Sequence, residues 1–156
     1  MTDNLLYFER ASDVGALSSF FCGERGIDIL IHKKEGGLAS FIAEQICEMY
    51  IIYYQNEAVA VVVYSNSSII IYDDEIPSIE IDFIAVRKDY RNKGIGRIIL
   101  NTIEHNARQN IFPFLTVDAY YNKRYSAEGF YLKCGFERNA IVGDQKEIIP
   151  MLKQLM

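Results

Sequence analysis

The residues from Arg87 to Arg97 concentrate charge and glycine as no other part of the chain does. Arg87, Lys88, Arg91, Lys93 and Arg97 supply five cations, and Gly94 and Gly96 sit among them. A β-branched stretch precedes the segment and an apolar-periodic one follows, so it reads as a turn between strand and helix. Glycine lets the backbone bend sharply and lets a ligand approach without a Cβ in the way. The first N–H groups of a helix have no internal partners and carry partial positive charge. Such a turn can bind a phosphate or diphosphate. Rossmann and Walker loops do not fit: the third glycine position of the first holds Ile99, and the second is absent. Taken alone, a Gly-x-Gly is more often a plain solvated turn.

Just upstream, Ser78 to Val86 reads as a strand. Side chains two apart share a face, so Ile79, Ile81, Phe83 and Ala85 point one way. Glu80, Asp82, Ile84 and Val86 point the other. A carboxylate face could take a proton from an ammonium group, or could simply be solvated. Tyr120, Tyr121 and Tyr125 could line a pocket for a second substrate, although such clusters more often serve packing.

These groups need a scaffold. The chain has 156 residues, half of them hydrophobic, enough for one core and one domain over 1–156. Its formal net charge of −5 argues against a general nucleic-acid or anionic-membrane binder. No apolar run reaches the roughly 18 residues of a membrane helix. Cys22, Cys47 and Cys134 form no C-x-x-C, and the N-terminus lacks a basic region followed by an apolar one. Reduced thiols in a cytoplasm are therefore expected. His32 and His105 lack zinc-ligand spacing, so no metal is expected.

The hydrophobic patterns predict a strand over Leu5–Glu9 and helices over 13–20, 24–34 and 38–46. A hairpin follows, Cys47–Tyr54 and Ala58–Tyr64 about a polar turn at Gln55-Asn56-Glu57. Ser67–Tyr72 either extends the sheet or forms an additional strand, and Asp73–Pro77 reads as a loop. Beyond the Ser78–Val86 strand come a helix over Gly94–Gln109, a strand over Phe114–Asp118 and a helix over Ser126–Cys134 stopped by Gly135. Phe136 and Ile148–Leu155 supply final antiparallel strands. This order predicts a mixed α/β sheet.

With strand and helix around it, Arg91-Asn92-Lys93-Gly94-Ile95-Gly96 resembles the Q/R-x-x-G-x-G/A motif of the GNAT family of N-acetyltransferases. A second segment, Ala127-Glu128-Gly129-Phe130-Tyr131-Leu132-Lys133-Cys134-Gly135-Phe136, is similar to the family's A-x-x-F-Y-x-x-x-G-F. The two span about residues 78–137. The resemblance implies six to seven mostly antiparallel strands flanked by about four helices. It also implies an acetyl-CoA-dependent enzyme that needs no metal and transfers acetyl directly to a primary amine of a small molecule, protein or peptide.

Carried over by position, Arg91, Asn92, Lys93, Gly94, Ile95 and Gly96 would bind the coenzyme diphosphate, with Arg97 opening the helix. Ile84, Ala85 and Val86 would pair with the pantetheine arm. Tyr131 matches the tyrosine that protonates the departing thiolate, and Glu80 the position of a general-base glutamate. Asp82 and Tyr120 would contact the acceptor. The family often has Asn, a contact to the cofactor, three residues before Ala127; here that residue is Arg124, and Asn122 is the nearest asparagine for that cofactor contact. Family members commonly form homodimers, which nothing in this sequence decides.

A second resemblance concerns Phe21-Cys22-Gly23-Glu24, with Ile27, Asp28 and Ile31 following. It is similar to the F-x-C-G segment of toxin-type members that acetylate aminoacyl-tRNA. A tRNA ligand predicts a basic face, which the acidic total does not suggest, so nucleic acid is not expected as a partner outside that reading. A non-catalytic acyl-CoA sensor is the third alternative.

Overall fold

A computed structural model describes residues 5–12, 47–124 and 126–156. The helices expected within 13–46 and the Phe21–Ile31 segment lie outside the described residues, as does Tyr125. In chain order the elements are β1 (Leu6–Ala11), β2 (Cys47–Tyr54), β3 (Glu57–Ile71), β4 (Asp74–Val86), α1 (Ile95–Gln109), β5 (Phe114–Tyr120), α2 (Glu128–Lys133), β6 (Glu137–Arg138) and β7 (Ile148–Gln154). The strands form a seven-stranded sheet in the order β1-β2-β3-β4-β5-β7-β6. The β4–β5 pair is parallel, while β1–β2, β2–β3, β5–β7 and β6–β7 are antiparallel. The mixed, mostly antiparallel sheet is as expected. Two helices are described, where about four were expected for the whole chain.

One expectation fails at the β3–β4 connection. Asp73–Pro77 is not a loop. Tyr72 and Asp73 both take left-handed conformations, with φ of 50° and 67°, and make the turn by themselves. β4 therefore starts at Asp74, and Ser67–Ile71 is the outer part of β3. Successive positive-φ residues suit a two-residue hairpin because their twist matches that of the strands. Tyrosine carries no turn signal, so the sequence concealed the reversal.

The chain divides into two compact units. The first contains Met1–Ser65 and Phe83–Ile99, and the second Asn66–Asp82 and Leu100–Met156. In the first, every residue from Ala58 to Val63 is buried, so the inner half of β3 is covered on both faces. Met49 and Ile52 of β2 and Ile95 and Ile99 of α1 join that unit's buried set. In the second, Ile79, Ile81, Leu115, Val117, Ala119 and Met151 are buried along alternating strand positions. Glu104 of α1 is held there between Lys153 Nζ at 2.7 Å and Arg108 Nη2 at 2.9 Å. Desolvation pushes its carboxyl up, but the two cationic donors outweigh that and hold it below its usual range. No described helix is long and apolar enough to cross a membrane.

Candidate active site

Arg91 to Arg97 bridge the end of β4 and the start of α1, as the motif requires. Gly94 is not the first helical residue. It stands just outside α1 with φ +83°, and its carbonyl accepts the Ile98 N–H at 3.1 Å. That makes Gly94 the N-cap and leaves the amides of Ile95, Gly96 and Arg97 in the first turn, where helix geometry provides no internal acceptor. Asn92 is also left-handed, at φ 62°. A Cβ added at Gly94 would find no atom of the described residues within 4 Å, so among them the bend opens onto free space. The same group of residues includes Ile84, Ala85 and Val86 at the end of β4. Arg91 Nε donates to Val86 O at 2.9 Å, which closes the turn back on the strand. These features fit a diphosphate-bearing coenzyme: amides in the first turn of a helix, where the dipole is positive, a glycine whose missing side chain leaves room, and surrounding basic residues.

The five cations do not all serve the bend. Arg87 is tied to Glu57 at 3.0 Å and to Asp89 at 3.5 Å. Glu57, read from sequence as a turn residue, also accepts Tyr90 Oη at 2.6 Å. That hydrogen bond raises the Tyr90 phenol above its usual range, with lost hydration and the Glu57 charge adding to it.

The second unit holds the remaining candidates. Tyr131 lies on α2 and is buried, with 8% of its surface exposed. Its place follows from how the helix stops. Gly135 turns left-handed at φ 91°, Phe136 N–H bonds back to Tyr131 O at 3.0 Å, and Gly135 N–H to Leu132 O at 3.1 Å. This pair of bonds is a Schellman cap, whose hallmark is an apolar contact between the residues at its two ends. Here those residues are Tyr131 and Phe136, rings crossing edge-on at 5.5 Å. Phe130 meets the Tyr131 ring at 5.1 Å. Tyr120 closes β5, and its carbonyl accepts the Ala127 N–H at 3.0 Å, tying the strand end to the approach of α2. Asn122 accepts the Arg124 N–H on Oδ1 at 2.8 Å, so that oxygen is engaged in a local turn.

Glu80 and Asp82 occupy the β4 face opposite buried Ile79 and Ile81. The parallel ladder pairs Glu80 with Thr116 and Ile81 with Val117. The next position on each strand is a carboxylate, Asp82 on β4 and Asp118 on β5. Lost hydration first, then the like charge of Asp82, pushes the Asp118 carboxyl above its ordinary range, although the residue as a whole is exposed. Sequence reading placed Asp118 in its strand but gave it no function. Strand alternation could have set its face, whereas the register that brings it beside Asp82 could not be read. Ser78, on the same β4 face, is fully buried, and its Oγ has no hydrogen-bond partner among the described residues. A surface depression of about 370 Å³ lined by Leu5, Tyr7, Glu9, Tyr53, Gln55 and Asn56 contains none of these candidates. A diphosphate can be held by a backbone bend without a deep cavity.

Comparisons with known proteins point the same way. A family model described as an acetyltransferase (GNAT) domain matches residues 45–138. No curated protein sequence matches the chain. Among solved structures, a bacterial toxin superposes with a TM-score of 0.72 at 15% identity, over 96% of this chain and 90% of that one. The PaiA N-acetyltransferase of Thermoplasma acidophilum, in complex with coenzyme A, gives 0.68 at 15% identity, over 99% of each chain. AtaT complexed with acetyl-methionyl-tRNAfMet gives 0.66 at 18% identity, over 93% of each. At such identities the likeness establishes the fold. The expectation drawn from net charge, that nucleic acid is no partner, is not borne out, since one of these neighbours was solved with tRNA. The glycine bend, the capped tyrosine helix and the matched domain agree: this chain belongs to the GNAT family, an N-acetyltransferase that uses acetyl-CoA.

Proposed function

We propose that the enzyme acetylates a primary amine that arrives as a cation, carried by a small molecule or a peptide. The observation that carries this reading is the neighbouring pair Asp82 and Asp118, on the same sheet face as Glu80. Asp118, whose ionisation is disfavoured by lost hydration and by the Asp82 charge, gains from a cation placed beside it. Acetyl-CoA, when bound, supplies the activated acetyl thioester. The amides at Arg91–Gly96 bind its diphosphate, with Arg97 at the helix start, and the backbone of Ile84–Val86 orients the pantetheine arm. Glu80 takes the proton that the ammonium must lose before its nitrogen can attack. Tyr131 donates its phenolic proton to the departing sulfur. Tyr120 contacts the acceptor, and Asn122 contributes through its amide N–H₂, its Oδ1 being held by Arg124.

Purified protein with acetyl-CoA and a panel of amines, read by coenzyme A thiol release, tests the reading. Asp118→Asn is expected to raise the amine KM about tenfold, the worth of one charge-assisted contact, with the KM for acetyl-CoA unchanged. Asp118 is neutral below its raised pKa. The gap between wild type and variant therefore opens as pH rises past the ordinary carboxylate range and closes in more acid solution. An unchanged amine KM removes Asp118 from the acceptor site.

The second reading is acetylation of the α-amine of an aminoacyl-tRNA. It is supported by the toxin-like Phe21–Ile31 segment and by the neighbours solved as toxins. Turnover of charged tRNA with none of free amines, in the same assay, would establish it over the first; its neighbours' antitoxin complexes then suggest a protein partner as well.

A further inference from the structure

Glu57 has no place in the chemistry above, yet its carboxylate bonds to two residues of the turn that forms the cradle. It opens β3 immediately after Gln55 and Asn56, whose positive φ values of 49° and 65° make the β2–β3 reversal. From there its Oε2 accepts Tyr90 Oη at 2.6 Å and its Oε1 accepts Arg87 Nη1 at 3.0 Å. Arg87 Nη1 lies 3.3 Å from Ala58 O, and the Arg87 amide donates to Val59 O at 2.9 Å. Tyr54 of β2 meets the Tyr90 ring edge-on at 6.3 Å. On the turn itself the Lys93 ammonium stands 5.3 Å from the Tyr90 ring centroid. One carboxylate thus fastens two residues of the 87–94 turn to the hairpin beside it, within one compact unit.

We propose that Glu57 and Tyr90 are positioning residues for diphosphate recognition, holding the 87–94 turn in the shape whose amides receive the ligand. This rests on the reading of Arg91–Gly96 as the diphosphate cradle. Backbone donors bind an anion only when several point at it together. A turn left to sample other shapes would have to be ordered at the ligand's expense, which lowers affinity without removing any contact. The turn contains two left-handed residues, Asn92 and Gly94, and such conformations persist where the surroundings hold them. Glu57 also draws the Arg87 guanidinium to itself, so the arginine serves the anchor rather than the ligand.

Tyr90→Phe and Glu57→Gln, each titrated with coenzyme A by calorimetry and with pantetheine by NMR, provide the test. Pantetheine lacks the diphosphate and so reports on the rest of the site. Coenzyme A affinity is expected to fall about fivefold in Tyr90→Phe and about tenfold in Glu57→Gln. Pantetheine affinity should stay the same, and the melting temperature should shift by no more than a few degrees. Equal losses for both ligands would mean general damage to the fold and would overturn the inference, as would undiminished coenzyme A binding in both variants. A wild-type protein that binds no coenzyme A would overturn the cradle itself along with it.

Discussion

Gly94→Val is expected to raise the dissociation constant for acetyl-CoA by about 100-fold, close to 3 kcal/mol of binding energy. Two features of Gly94 combine to give so large an effect. Its φ of +83° is a conformation that β-branched side chains rarely adopt, so valine either strains the bend or straightens it. The space its Cβ would enter holds no atom of the described residues within 4 Å. None of the described residues therefore resists the side chain, and the volume it fills is the volume the proposed diphosphate needs. Strain of about 1–3 kcal/mol is expected for a non-glycine residue held there, so the melting temperature should drop as well. Gly94→Ala separates the two causes: it shares the unfavourable φ but adds a single carbon, and a loss nearer tenfold is expected. Affinity is measured by calorimetry well below either melting temperature. Acetyl-CoA binding that survives Gly94→Val intact would place the diphosphate elsewhere.

Tyr131→Phe is expected to lower kcat about 100-fold, the usual worth of a positioned proton donor, with the KM for acetyl-CoA and the melting temperature little changed. The reason for expecting a clean result is the packing. The Tyr131 ring meets Phe130 and Phe136 at 5.1 Å and 5.5 Å, contacts that phenylalanine keeps. The Schellman cap that fixes its backbone depends on Gly135 and on main-chain bonds, which the substitution does not touch. What is lost is the phenolic O–H alone. Rates followed across pH add a check, because the alkaline limb of the profile should change if Tyr131 supplies the proton. A variant that turns over at the wild-type rate would reduce Tyr131 to a packing residue.

What the sequence made legible was whatever depends on neighbours along the chain. The α1 start could be read from Gly94 and the spacing of Ile95, Ile98, Ile99 and Ile103, all of them buried. Gly135 marked the end of α2 because few other residues tolerate its φ. Alternation placed Ile79 and Ile81 inward and left Glu80 and Asp82 on the other face. What stayed hidden depends on partners distant in sequence. Glu57 lies thirty residues before Arg87, and only the folded hairpin brings the two together, so five cations looked equally available to an anion. Asp118 acquires its shifted ionisation from lost hydration first and then from Asp82, set beside it by the register of a parallel ladder, and no local pattern encodes either. The Tyr72–Asp73 turn was missed for a different reason. Asp73 signals a turn without fixing which two residues make it, whereas Tyr72 prefers strands, and the geometry of two long paired strands imposes the left-handed conformation on it.

In the proposed reaction, main-chain amides at the β4–α1 bend hold the coenzyme diphosphate. Hydrogen exchange at those amides, followed by NMR with and without saturating acetyl-CoA, tests it most directly. The Ile95, Gly96 and Arg97 amides, together with those of Arg91 to Gly94, are predicted to exchange more slowly by about tenfold or more when the ligand is bound, while the β1–β2 ladder is unaffected. Exchange at the bend that stays the same under saturating ligand would contradict the claim.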